Sequence, residues 1–197
     1  MIPLRILDDF VPDAQSVREA VVAGEFTEER GPDGAMYSGI SKCTAPERWH
    51  QSVAQVVGFP IVVRLEAFRL NLQGELPKSW VHADDICAEH ASVLYLTAEE
   101  HCKGGTAFWR HAGLGMDRRF TEEDMKARGI RSDVFHSWMT QEWKNLAFWE
   151  MTALIPMRFN RFITYPTCYF HSRYPFEAFG SGPQDGRLVW VCFFDKE

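Results

Sequence analysis

The chain has 197 residues, 46% of them hydrophobic, with 15 Phe, 7 Trp and 5 Tyr, which is enough apolar surface for one domain with an aromatic-rich core and excludes a disordered chain. A net charge of −6 with no basic run excludes the electrostatic footprint of a nucleic-acid binder. No run of about 18 apolar residues offers a helical membrane span, residues 1–9 lack the pattern of a secretory signal, and five scattered cysteines without a C-x-x-C pair point to a reducing cytoplasm and not to a disulfide framework.

Residues 4–7 read as a first strand and 12–24 as a helix, with Val17, Ala20 and Val21 on one face and Gly24 as its stop. Residues 25–45 are rich in Gly and charge and read as loop with one strand at most. A second helix is expected over 46–58, with Trp49, Val53, Val56 and Val57 as its apolar set. From 61 to 72 the apolar residues occupy both parities, which requires a bulge or a sheet covered on both faces. Strands follow at 79–84, 91–96 and 106–109, with Gly104-Gly105 as a turn. Residues 112–157 change to helical spacing: Thr121 caps one helix that ends at Gly129, and Phe135, Trp138, Met139, Glu142, Trp143, Leu146 and Trp149 mark another over 132–151. Strands resume at 159–165, 167–171 and 187–194. The order predicts a single domain over 1–197, mainly β with flanking helices (α+β). Its core is a double-stranded β-helix, a jelly-roll of the cupin-like kind, carrying a helical insertion at about 112–157.

One constellation carries chemistry. His82 and Asp84 stand at i and i+2, so on a strand their side chains share a face and can grip one metal ion. His171, on a distant strand, supplies a third donor. Two histidines and one carboxylate on one face leave cis positions open and form the protein half of a non-haem Fe(II) oxygenase site. Asp85 is the second choice of carboxylate, since it points to the other face. His50, His90, His101, His111 and His136 are rival ligands; His90 and His101 lack a partner at metal spacing, and His111, after the 106–109 strand, is placed to line the pocket.

Three stretches resemble a known pattern: Trp80-Val81-His82-Ala83-Asp84, then Ala91-Ser92-Val93-Leu94-Tyr95-Leu96-Thr97, then Gly104-Gly105-Thr106-Ala107-Phe108. With the opening Ile6-Leu7-Asp8-Asp9-Phe10-Val11 and the distal His171, they are similar to prolyl-hydroxylase-like Fe(II)/2-oxoglutarate dioxygenases, over roughly residues 4–110 and 158–194. The resemblance implies Fe(II) on His82, Asp84 and His171, and 2-oxoglutarate as cosubstrate with its far carboxylate on Arg187. It also implies hydroxylation of a small molecule or peptide with release of succinate and CO2. A guanidinium fork suits that carboxylate, with Arg173 and Arg161 as alternatives to Arg187. Asn71 and Arg69, on the strand before the metal motif, and Tyr95 are further candidate cosubstrate contacts, and Thr106 and Tyr165 border the same region. The tryptophans of the insertion, Trp138, Trp143 and Trp149, are candidates for a lid or substrate wall. A binding protein or cupin-like enzyme that uses the metal without 2-oxoglutarate is the alternative. Homodimerisation stays open.

Overall fold

The computed structural model describes residues 3–32, 34–75, 80–84 and 88–197, the side chains of His136, Trp138 and Thr140 excepted. Alternation along the chain builds two facing sheets. The strands are β1 (Arg5–Leu7), β2 (Phe26–Arg30), β3 (Met36–Ser41), β4 (Ile61–Asn71), β5 (His90–Tyr95), β6 (Gly105–His111), β7 (Trp149–Pro156), β8 (Phe162–Pro166), β9 (His171–Tyr174) and β10 (Arg187–Lys196). A seven-stranded sheet runs β1-β8-β5-β10-β4-β3-β2, and a three-stranded sheet runs β7-β6-β9. All pairings are antiparallel. This is the expected jelly-roll class.

The central strands of the large sheet, β5, β8 and most of β10, are buried on both faces. Phe68, Leu70, Leu94, Phe162, Leu188, Trp190, Cys192 and Phe194 point outward and pack under helices α1 (Ala14–Ala23) and α2 (Glu47–Val57). In α2, Trp49 and Val53 are fully buried and Gly58 closes the helix in the left-handed region at φ 86°. Burial of each such side chain contributes about 1.5–3 kcal/mol. The alternate residues Ala91, Val93, Tyr95, Ile163, Tyr165 and Val189 point inward and meet Phe108 and Ile155 of the small sheet. The double parity at 61–72 resolves in both expected ways. The register of β10 on β4 steps from Phe193–Leu65 to Phe194–Val63, leaving Arg64 as a bulge, and the end of β4 is covered on both sides.

Three expectations need correction. Residues 26–30 and 36–41 form a hairpin of two strands; their side chains are mostly half-exposed, so no apolar alternation announces them. After a first short helix, α3 (Glu122–Ala127), the second helix of the insertion, α4 (Ser132–Glu142), ends well before residue 151, and Trp149–Pro156 is a strand paired with β6. The spacing of Leu146 and Trp149 continues the helical period by coincidence, and cross-strand pairing overrides it. The helical insertion is therefore shorter than expected, because 149–156 belong to the small sheet. His171 begins β9 and does not end a strand; residues 167–170 form a turn closed by Tyr169 N–H to Pro166 O at 3.1 Å. The short helix α3 (Glu122–Ala127) carries the expected cap, a reciprocal box between Thr121 and Asp124. At Gly105 any side chain would run into the Ile155 carbonyl, which is why glycine stands where β6 enters between β7 and β9.

Candidate metal centre

His171 sits opposite Phe108 in the β9–β6 pair and opposite His82 in a bridge on its other side. The bridge has two backbone hydrogen bonds, His82 N–H to His171 O at 3.0 Å and His171 N–H to His82 O at 2.8 Å. Asp84 is tied to the same turn by its own N–H to Thr167 O at 3.0 Å. Residues 80–84 form no strand beyond this bridge; the start of the expected 79–84 strand, and Asp85, lie outside the described residues. The i, i+2 rule still holds, because the backbone at 82–84 is pinned to its neighbour like a strand.

Ligand atoms of His82, Asp84 and His171 all lie within 4.8 Å of one another, and they are the one such group of His, Cys, Asp and Glu among the described residues. Asp84 Oδ1 is 3.7 Å from His82 Nε2 and Asp84 Oδ2 is 3.5 Å from His171 Nε2. His171 Nδ1 lies 2.9 Å from the Tyr169 carbonyl. A carbonyl only accepts, so Nδ1 carries the proton and Nε2 presents its lone pair to Asp84 and His82. This backbone contact orients the ring as metal-ligating histidines are oriented. His82 is the most open of the three, with 34% of its side chain exposed against 13% for Asp84 and 8% for His171.

Burial and the neighbouring His171 push His82 down to about 4, and burial pushes His171 to about 4 as well. Burial raises the Asp84 carboxyl to about 6, partly offset by His82. Both imidazoles are therefore neutral at neutral pH, the state that binds metal. Asp84 Oδ2 and His82 Nδ1 are buried and make no hydrogen bond of ordinary geometry. A buried carboxylate oxygen without a donor is costly, and a cation between the three donors would satisfy it. The residues fit a divalent metal.

The inner side of the large sheet carries a second polar group. The register of β10 on β4 sets Arg187 opposite Asn71, and Arg187 Nη1 donates to Asn71 Oδ1 at 3.1 Å. Arg187 is 9% exposed and its Nε has no partner. Burial lowers its basicity, as it does for Arg173, which falls to about 10 under burial and the charge of Arg187. Arg69 and Asn71 both donate to Glu75, at 3.0 Å and 2.9–3.0 Å. Tyr95 is fully buried, its hydroxyl 2.6 Å from Thr106 Oγ1. Tyr165 bridges the two groups: its ring centroid is 4.9 Å from that of His171, and both Asp84 and Arg187 act on its hydroxyl's acidity.

The structure thus brings together His82, Asp84 and His171, and gathers Arg187, Asn71, Arg69 and Tyr95 in the same barrel. Of the alternatives to Arg187, Arg173 joins the cluster, whereas Arg161 is held by Asp8 at 2.6 Å on the outside. Glu75 was not legible as a site residue; no local pattern marks it. Of the three tryptophans expected as a lid or substrate wall, Trp143 follows the last residue of α4 and Trp149 opens β7. Trp149 is 6% exposed and packs on Phe170 and His111, and the side chain of Trp138 lies outside the described residues. The aromatic rings against His171 are those of Tyr165 and Phe108, at 4.9 and 6.4 Å between centroids. His50, His90 and His111 are engaged elsewhere, with Glu66, Phe194 and Glu142.

The jelly-roll of facing antiparallel sheets is the fold found in solved structures of non-haem iron enzymes that use 2-oxoglutarate. Similar solved structures include the non-heme alpha ketoglutarate dependent epimerase SnoN from nogalamycin biosynthesis, at a TM-score of 0.55 and 11% identity, covering 97% of this chain and 75% of that one. The carbocyclase SnoK from the same biosynthesis, also described as non-heme and alpha ketoglutarate dependent, matches at 0.53 and 13% identity, covering 97% and 78%. EctD from S. alaskensis with bound Fe matches at 0.51 and 9% identity, covering 98% and 72%. At these identities the likeness is one of fold. No curated protein matches the sequence. Residues 75–194 match the model of a family described as a family of unknown function (DUF6445), and the chain belongs to that family.

Proposed function

We propose that the protein is an Fe(II)- and 2-oxoglutarate-dependent oxygenase of the prolyl-hydroxylase-like kind, hydroxylating a small molecule or peptide. The observation that carries this reading is the pairing of two sites in one barrel: a neutral-imidazole and carboxylate triad, and a buried arginine with an unpartnered Nε. A metal-binding protein without a cosubstrate has no use for the second.

His82, Asp84 and His171 would hold the metal. Fe(II), when bound there, supplies activation of dioxygen coupled to oxidative decarboxylation of the 2-oxo acid, giving succinate and CO2 and one oxygen atom for a C–H bond. The chain's own residues do the positioning. The Tyr169 carbonyl fixes the His171 tautomer. Arg187 offers a charge-assisted fork to the far carboxylate of the acid, steadied by Asn71. Phe108, Val93, Val189 and Ile163 line the interior between the sheets and exclude water. The Tyr95 and Tyr165 hydroxyls stay protonated, because burial raises both.

The test is succinate formation from 2-oxoglutarate by the Fe(II)-loaded protein without added substrate. Slow, iron-dependent succinate release that is lost in Asp84→Ala is expected. Release that persists in Asp84→Ala, or metal binding with no succinate at all, would overturn the assignment.

A further inference from the structure

Glu75 follows β4 and is a half-buried carboxylate set among three guanidinium groups. Its Oε1 accepts from Arg69 Nη2 at 3.0 Å and stands 4.0 Å from Arg173 Nη1. Asn71 Nδ2 donates to both of its oxygens, at 3.0 and 2.9 Å. Its backbone carbonyl accepts from Arg173 Nη2 at 3.0 Å. Arg187 receives no oxygen of Glu75 directly. It is joined to the group through Asn71 Oδ1, and its Nε is buried without a partner.

This arrangement divides one anion subsite between two claimants. Asn71 accepts from Arg187 through Oδ1 and donates to Glu75 through Nδ2, so an anion that took Arg187 and the Asn71 amide together would have to take that amide from Glu75. Two carboxylates sharing one amide donor inside a barrel repel strongly. Arg69 and Arg173 keep Glu75 attached when no other anion is present.

We propose that Glu75 is a resident carboxylate that holds the place of the cosubstrate's far carboxylate on Asn71 beside Arg187, so that a dicarboxylic 2-oxo acid binds by displacing it. This rests on the oxygenase reading above. Glu75 then sets the affinity and the selectivity of the subsite: an acid with a second carboxylate can compete for Asn71 and Arg187, and a monocarboxylic acid cannot.

The experiment is calorimetric titration of the Mn(II)-loaded protein with 2-oxoglutarate and with pyruvate, which lacks the second carboxylate, for the wild type, Glu75→Gln and Glu75→Asp. Removing the competing charge in Glu75→Gln should tighten 2-oxoglutarate by about tenfold, with Mn(II) and pyruvate affinities unchanged. Glu75→Asp, too short to span Asn71 and Arg69 together, should tighten it by less, and it serves if Glu75→Gln does not fold. Equal or weaker binding of 2-oxoglutarate in the variants would show Glu75 to be a fixed anchor of the arginines and overturn the proposal. If Mn(II) binds and 2-oxoglutarate binds neither wild type nor variants, the oxygenase reading fails and this inference falls with it. Binding to the variants alone would support both.

Discussion

The two faces of the large sheet are built from the same strands and do opposite things. On β10, Leu188, Trp190, Cys192 and Phe194 enter an apolar layer under α1 and α2 and are all 0% exposed. Their alternates begin with Arg187, which enters the barrel with an unpartnered Nε. Six buried side-chain polar atoms lack a hydrogen-bond partner among the described residues, and four of them belong to Arg69, His82, Asp84 and Arg187 on the inner side. Native interiors rarely leave such atoms unpaired, so their clustering on one face separates a region selected for stability from one prepared for ligands. The period of two in a strand places the two regions one residue apart.

The outer face should show the largest effect. Trp190 packs edge-on against Trp49 at 5.3 Å and donates to Glu66 at 3.0 Å. Trp190→Ala should cost about 3–5 kcal/mol of unfolding free energy, read by urea denaturation, while metal stoichiometry of the folded fraction stays at wild type. Loss of metal binding without loss of stability would mean that the faces are not separable. From the inner side, Arg187→Gln should weaken 2-oxoglutarate by about 1.5–3 kcal/mol and change unfolding free energy by less than about 1 kcal/mol. A large loss of stability in that variant would make Arg187 a structural residue.

A smaller effect sharpens the picture of the mouth. Burial raises Asp84 to about 6, and metal needs it ionised. Metal affinity should therefore be flat above pH 6 and fall as pH drops below it, by about tenfold per unit for one proton taken up. The two imidazoles, held down at about 4, add nothing until lower pH. Calorimetry with Mn(II) across this range checks the sign and the midpoint. A decline starting only near the ordinary carboxylate range would show Asp84 to be solvated.

Much of this was legible because the rules involved are local. The i, i+2 relation of His82 and Asp84 survives the absence of a full strand, since two backbone bonds to His171 pin the segment. The apolar alternation of β10 and the spacing of Trp49, Val53 and Val57 in α2 reported their burial faithfully. The failures are non-local. The β2–β3 hairpin lies at the sheet edge, where half-exposed residues carry no pattern. β7 became a strand by pairing with β6, against a helical spacing at Leu146 and Trp149. Arg187 followed from the family resemblance, but its bond to Asn71 needs the β10–β4 register, and Glu75 needs that register plus a chain reversal that no motif announces.

On the proposed function, one barrel holds a metal triad and a carboxylate fork for the same ligand. Anaerobic titration of Fe(II)-loaded protein with 2-oxoglutarate tests it most directly, watched for the visible charge-transfer absorption of a 2-oxo acid chelated to iron at an open facial site. The account predicts that the band grows to one equivalent in the wild type, is absent in His82→Ala, and requires much more 2-oxoglutarate in Arg187→Gln. Iron binding with no band at any concentration of the acid would contradict it.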